Sequence, residues 1–135
     1  MSTKVRIAEA LLAGAALVLV LAGCSAPDQV VPYTGEAATV SVGETLIVDF
    51  GEINSSVGDG WVIVTEPDPA VLGEGESASE YLGDEGSTGA GNRFSYRFEA
   101  VGVGTTTVEF EYRFRGEIPE DREDQQTATI EVTVE

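Results

Sequence analysis

Catalysis needs a nucleophile, a base or a ligand set, and this 135-residue chain offers few of them: it has no histidine and one cysteine, Cys24. Without histidine there is no Ser-His-Asp triad, no Cys-His dyad, no His-ligated zinc and no imidazole base. A lone cysteine forms neither an internal disulfide nor a thiolate cage. Carboxylates are abundant, with 24 Asp and Glu against 7 Lys and Arg, and paired carboxylates can serve glycoside hydrolysis. Glu74, Glu76, Glu80, Asp84 and Glu85 nevertheless lack the Asp-x-Asp-x-Asp-Gly spacing of a calcium loop and read as a solvated acidic surface. The formal charge of −17 argues against nucleic acid, whose binding rests on cations neutralising phosphates. No enzyme, metal or cofactor is expected.

The one thiol closes a distinctive segment. Lys4 and Arg6 precede an apolar run from Ala10 to Leu21, which ends on Leu21-Ala22-Gly23-Cys24. That order is the layout of a secretory signal, shorter than a membrane-spanning helix prefers and without a basic stop-transfer flank. Leu-Ala-Gly-Cys resembles a bacterial lipobox. The resemblance implies cleavage after Gly23, lipid attached to the Cys24 thiol and an extracytoplasmic protein anchored to the membrane. Residues 1–23 are then signal peptide, and 24–36 are lipidated cysteine and polar tether. Five cations remain beyond the signal, all arginines: Arg93, Arg97, Arg113, Arg115 and Arg122.

The elements that position everything else come from residues 37–135. Their pattern is period-two alternation broken by Gly, Pro, Asn and Asp, the mark of strands rather than helices. Leu46, Val48 and Phe50 share a face, as do Phe94, Tyr96 and Phe98. Thr106, Val108, Phe110 and Tyr112 form a third such row, and Ala128, Ile130, Val132 and Val134 a fourth. Strands are expected at 39–42, 45–50, 61–65, 93–100, 105–114 and 127–134, with one or two more near 70–72 or Tyr81. Seven or eight short strands in about 100 residues point to one all-β domain, an immunoglobulin-like antiparallel β-sandwich. Trp61 opens a strand and reads as core.

Three segments are too polar and Gly-rich for strands: Asn54 to Gly60, Gly86 to Asn92, and Arg113 to Asp124. Here the chain resembles the chagasin-like inhibitors of papain-type cysteine proteases, over roughly Ala38 to the C-terminus. The family's first loop, Asn-Pro-Thr-Thr-Gly with Trp following after two residues, is matched at Asn54, Gly58 and Trp61. Ser55, Ser56 and Val57 stand between them. Its second loop, Gly-x-Gly-Gly before an apolar strand, is similar to Gly89-Ala90-Gly91-Asn92 before Phe94. Its strand from Gly-Thr to Tyr-x-Arg-Pro-Trp is matched by Gly104-Thr105 through Tyr112-Arg113, but Phe114-Arg115-Gly116 replaces the rest.

The resemblance implies a monomeric inhibitor that blocks a papain-like cysteine protease with three loops at one end of the sandwich. The residues expected to meet the protease are Asn54, Ser55, Ser56, Val57, Gly58, Gly89, Ala90, Gly91, Asn92, Arg113, Phe114 and Arg115. Blocking requires shape rather than chemistry, which suits a chain without histidine. The other reading of the same residues is a non-inhibitory immunoglobulin-like lipoprotein, an adhesion or scaffold module. A third loop folded away from the first would favour it.

Overall fold

The computed structural model describes residues 27–135, so the signal segment and Cys24 lie outside the described residues. Eight strands form among them: β1 (Asp28–Pro32), β2 (Ala37–Val40), β3 (Thr45–Ile53), β4 (Asp59–Thr65), β5 (Glu76–Tyr81), β6 (Asn92–Glu99), β7 (Gly104–Phe114) and β8 (Thr127–Val134). They make two four-stranded sheets, ordered β1-β3-β6-β5 and β2-β8-β7-β4. This is the all-β sandwich that the alternation requires. The inward rows meet between the sheets, where Leu46, Val48, Phe98, Val108, Phe110, Ile130 and Val132 are completely or almost completely buried. Each such side chain contributes about 1.5–3 kcal/mol on burial.

The core is unusually aromatic on the side that faces the loops. Phe50 lies 4.7 Å from Trp61 and 5.0 Å from Phe110, centroid to centroid. Tyr96 joins the two sheets by donating its hydroxyl to the Trp61 carbonyl at 2.7 Å. Burial, and secondarily the charge of Glu66, pushes the Tyr96 pKa up. Trp61 is 4% exposed, so the indole is core as expected, although β4 opens two residues before it, at Asp59.

Two expectations change. Residues 28–32 belong to the sheet rather than to a tether, because β1 pairs in parallel with β3 from Asp28–Thr45 to Pro32–Asp49. An edge strand tolerates Pro32, whose missing N–H costs nothing on the unpaired side. Tyr33 follows on, its amide bonded to the Asp49 carbonyl at 2.9 Å and its ring stacked 5.5 Å from Phe50. The domain therefore includes Asp28–Pro32 and does not begin at residue 37. The second change concerns direction: β2 also pairs in parallel, with β8, so both N-terminal edge strands depart from the antiparallel pattern of the other ladders.

Register fixes two poles. Ile53 and Tyr81 both stand opposite Asn92, and Asp59 stands opposite Phe114. Loops 54–58, 82–91 and 115–126 consequently meet at one pole, the apex. Thr45 stands opposite Glu99, Gly104 opposite Val134 and Asp28 opposite Thr45. Turns 41–44 and 100–103 and the N-terminal strand therefore start from the other pole, the base.

Candidate functional site

The first loop is a closed turn rather than slack chain. β3 reaches it through a bulge between Asp49 and Glu52, where Gly51 takes φ +73° and donates its amide to Asp49 Oδ1 at 2.8 Å. Asn54 then folds the turn on itself. Its side-chain oxygen accepts the Ser56 amide at 3.2 Å, and its carbonyl accepts the amides of Val57 and Asp59 at 3.3 and 3.2 Å. Such Asx geometry is what makes asparagine a turn former. The foot of the loop is held by Asp59. One of its oxygens accepts the Asn54 amide at 3.1 Å, and the other accepts the Tyr112 hydroxyl. That hydrogen bond, with burial and the charges of Asp59 and Asp124, pushes the Tyr112 pKa up to about 12.

Ser55, Ser56 and Val57 are left exposed at the tip, and each flank of the tip is fastened differently. On the β6 side, Asn92 Oδ1 accepts both the Ser55 amide at 3.1 Å and the Ser55 hydroxyl at 2.9 Å. Asn92 Nδ2 donates to Ser79 on β5 at 2.6 Å. The Asn54 side-chain amide reaches the Gly89 carbonyl at 3.3 Å, which joins the second loop to the first. On the β7 side the shorter link is main chain. The Arg115 amide donates to the Gly58 carbonyl at 2.8 Å, and Arg115 Nε reaches the Val57 carbonyl at 3.4 Å. Gly58 has φ +115°, and a Cβ there would lie 2.5 Å from Arg115 Cγ and 3.1 Å from its backbone nitrogen. Glycine is required at this position for both reasons.

The third loop begins with a tight reversal. Phe114 and Glu117 exchange amide–carbonyl bonds of 2.8 and 3.0 Å around Arg115-Gly116, whose φ angles are +51° and +81°. Positive φ at both central residues is the requirement of a type I′ turn, and Arg115 bears the strain of a side chain there. Among the described residues it is the one non-glycine with positive φ. The Arg115 guanidinium carbon sits 5.2 Å from the Phe114 ring centroid, and Phe114 is 40% exposed.

Of the residues anticipated for the site, Asn54, Ser55, Ser56, Val57, Gly58, Gly89, Asn92 and Arg115 are joined to one another by these bonds. Ala90, Gly91 and Phe114 adjoin them in the same loops. Two differ from expectation. Asn92 is 4% exposed, so it supports the tip from beneath and has no surface to present. Arg113 lies within β7 opposite Gly60, with its Nε 2.9 Å from Glu111 Oε1 in an ion pair misaligned for a hydrogen bond. The turn starts at Arg115. Sequence reading passed over Asp59, Tyr112 and Ser79, the supports of the site. The available signals were an acid placed one residue after the loop glycine and the place of Tyr112 in the matched strand, neither of which marked a support.

The apex carries no nucleophile–base pair; what it presents is a preformed edge of small side chains flanked by Phe114 and Arg115. The family described as Chagasin family peptidase inhibitor I42 matches residues 39–133. The fold is similar to that of the cysteine protease inhibitor EhICP2 from Entamoeba histolytica, with a TM-score of 0.59 and 16% identity over 80% of this chain and 96% of that one. It is also similar to the solution structure of Amebosin, at 0.56 and 18% over 81% and 99% of the two chains. PbICP-C, solved in complex with falcipain-2, gives 0.50 and 16% over 81% and 90%. A search of curated proteins found no match. The chain belongs to the chagasin family of peptidase inhibitors, whose members block peptidases and are not themselves enzymes.

Proposed function

We propose that this protein inhibits papain-like cysteine peptidases by seating its apex in their active-site cleft, while a lipid on Cys24 holds it outside the cytoplasm. The observation that carries the reading is the fastening of the Ser55–Val57 tip on both flanks, by Asn92 and by Arg115. A narrow cleft admits only a thin, small-residue edge, and an edge ordered beforehand loses little entropy on binding. Phe114 and Arg115 beside it have the composition of interface hot spots. A fold neighbour whose structure was solved in complex with falcipain-2 supports a peptidase as partner. A third loop turned away from the first would favour the scaffold reading, whereas Arg115 is bonded to Gly58.

Titration of residues 25–135 against papain or a cathepsin-L-like peptidase tests this. Substrate hydrolysis is expected to stop at submicromolar inhibitor. Replacing Ser55-Ser56-Val57 by a bulky charged triplet is expected to weaken inhibition by about 100-fold, the scale of a lost hot spot. Undiminished hydrolysis at micromolar inhibitor sinks the proposal.

A further inference from the structure

The base of the sandwich has its own surface. Turns 41–44 and 100–103 are bonded together there, Gly43 amide to Ala100 carbonyl and Ala100 amide to Glu44 carbonyl, each at 2.9 Å. Val101 and Gly102 donate to the Val71 carbonyl at 2.9 and 3.3 Å, which ties a third segment to the same pole. On this stitched platform Val42, Val101 and Val103 are exposed, and Val103 at 75% is the most exposed large hydrophobic residue among those described. Neither the core nor the apex uses them.

The chain's direction tells what lies beside them. β1 is parallel to β3, so Asp28 stands level with Thr45 at the base. Cys24 is four residues before Asp28, a distance that extended chain spans by at most about 14 Å. A lipid on Cys24 therefore holds the base, and not the apex, within that distance of the bilayer surface.

We propose that Val42, Val101 and Val103 form a membrane-contact surface that rests on the lipid interface and points the apex away from it. The proposal rests on the lipid-anchor reading of Cys24. Valines on short turns suit the interface, where apolar side chains enter while the backbone stays hydrated. Carboxylates of Glu44, Glu99 and Glu135 stand at the same pole. Anionic headgroups repel such a surface, so the partner is a zwitterionic lipid face.

The test uses the chain from Cys24 onward, which retains all eight strands, coupled through that thiol to a maleimide-headgroup lipid in phosphatidylcholine vesicles. Tryptophan is introduced singly as Val103→Trp at the base and Val57→Trp at the apex. Both sites are exposed, and buried Trp61 in the parent gives the background. Brominated acyl chains are expected to quench Val103→Trp several-fold more than Val57→Trp, which stays at the parent level. Quenching of Val57→Trp equal to or above that of Val103→Trp overturns the proposal, as does no quenching of either. A second variant, Val101→Asp with Val103→Trp, is expected to lose at least half of the quenching while its circular dichroism is unchanged; undiminished quenching counts against apolar contact. The anchor reading fails separately, when the full chain in a bacterial host takes up no labelled fatty acid that Cys24→Ser removes.

Discussion

The two flanks of the Ser55–Val57 tip do the same job by opposite means. On the β6 side the fastening is one buried side chain, Asn92, that spends both ends of its amide on Ser55 and Ser79. On the β7 side it is backbone meeting backbone, permitted because Gly58 has no Cβ and because Arg115 accepts a left-handed conformation. A side-chain strut can be removed without moving the chain. A backbone seam breaks when anything is added to it. The first flank is thus sensitive to deletion and the second to insertion.

Asn92→Ala should show the larger loss. It removes the shared acceptor of the half-buried Ser55 amide and hydroxyl and the donor to Ser79, and stability is expected to fall by about 2–3 kcal/mol in urea denaturation, with weaker peptidase inhibition. Asn92→Asp keeps the acceptor for Ser55 and should recover part of that loss. On the other flank, Gly58→Ala adds one methyl group and is expected to cost about 1–2 kcal/mol, from positive φ and the contact with Arg115. Its inhibition should weaken more than that of Arg115→Ala, because the alanine side chain forces the third loop outward. A comparable loss for both variants would place the contribution in the Arg115 side chain instead of the seam.

The foot of the loop responds to pH. Tyr112 has its pKa raised to about 12 in the folded state, against the usual value of 10. The unfolded chain therefore deprotonates first, so the stabilisation is complete below pH 10 and is lost as pH rises from 10 to 12. Tyr96 shifts in the same direction and adds to the slope. Tyr112→Phe should flatten part of this alkaline decline in a series of thermal melts. Absorbance at 295 nm should show one of the tyrosine transitions in the parent near pH 12, missing in the variant. The smallest expected effect is that of Arg115→Gly. Relief of the strained φ and loss of the Phe114 contact oppose each other and leave stability within about 0.5 kcal/mol. Inhibition assays on the same variant then isolate what the guanidinium gives to binding.

The sandwich could be read from sequence because every central strand alternates, and Thr127 to Val134 was placed to the residue. β1 could not be read so. It has two prolines near its ends and no polar–apolar alternation, and its pairing with β3 is set by tertiary packing of Val31 and Tyr33. β5, Glu76–Tyr81, carries a small-residue and acidic pattern that resembles loop. At the apex the loop order and the glycines were legible, since positive φ leaves a mark in residue type. Asn92 looked like the end of a glycine-rich loop because burial of a polar side chain leaves no such mark. Arg115 gave no sign of its backbone conformation, because the residue type disfavours it.

The parallel pairing of β1 with β3 has a mechanical meaning. Five residue pairs, Asp28–Thr45 to Pro32–Asp49, lie side by side along the direction from base to apex. A pull between the N-terminus and a partner seated on the apex draws β1 along its own axis. The bonds of that ladder are then stretched together in shear, not unzipped one after another. A force applied across the strands at either edge would meet one pair at a time. The β1–β3 ladder is therefore placed to resist tension directed from base to apex.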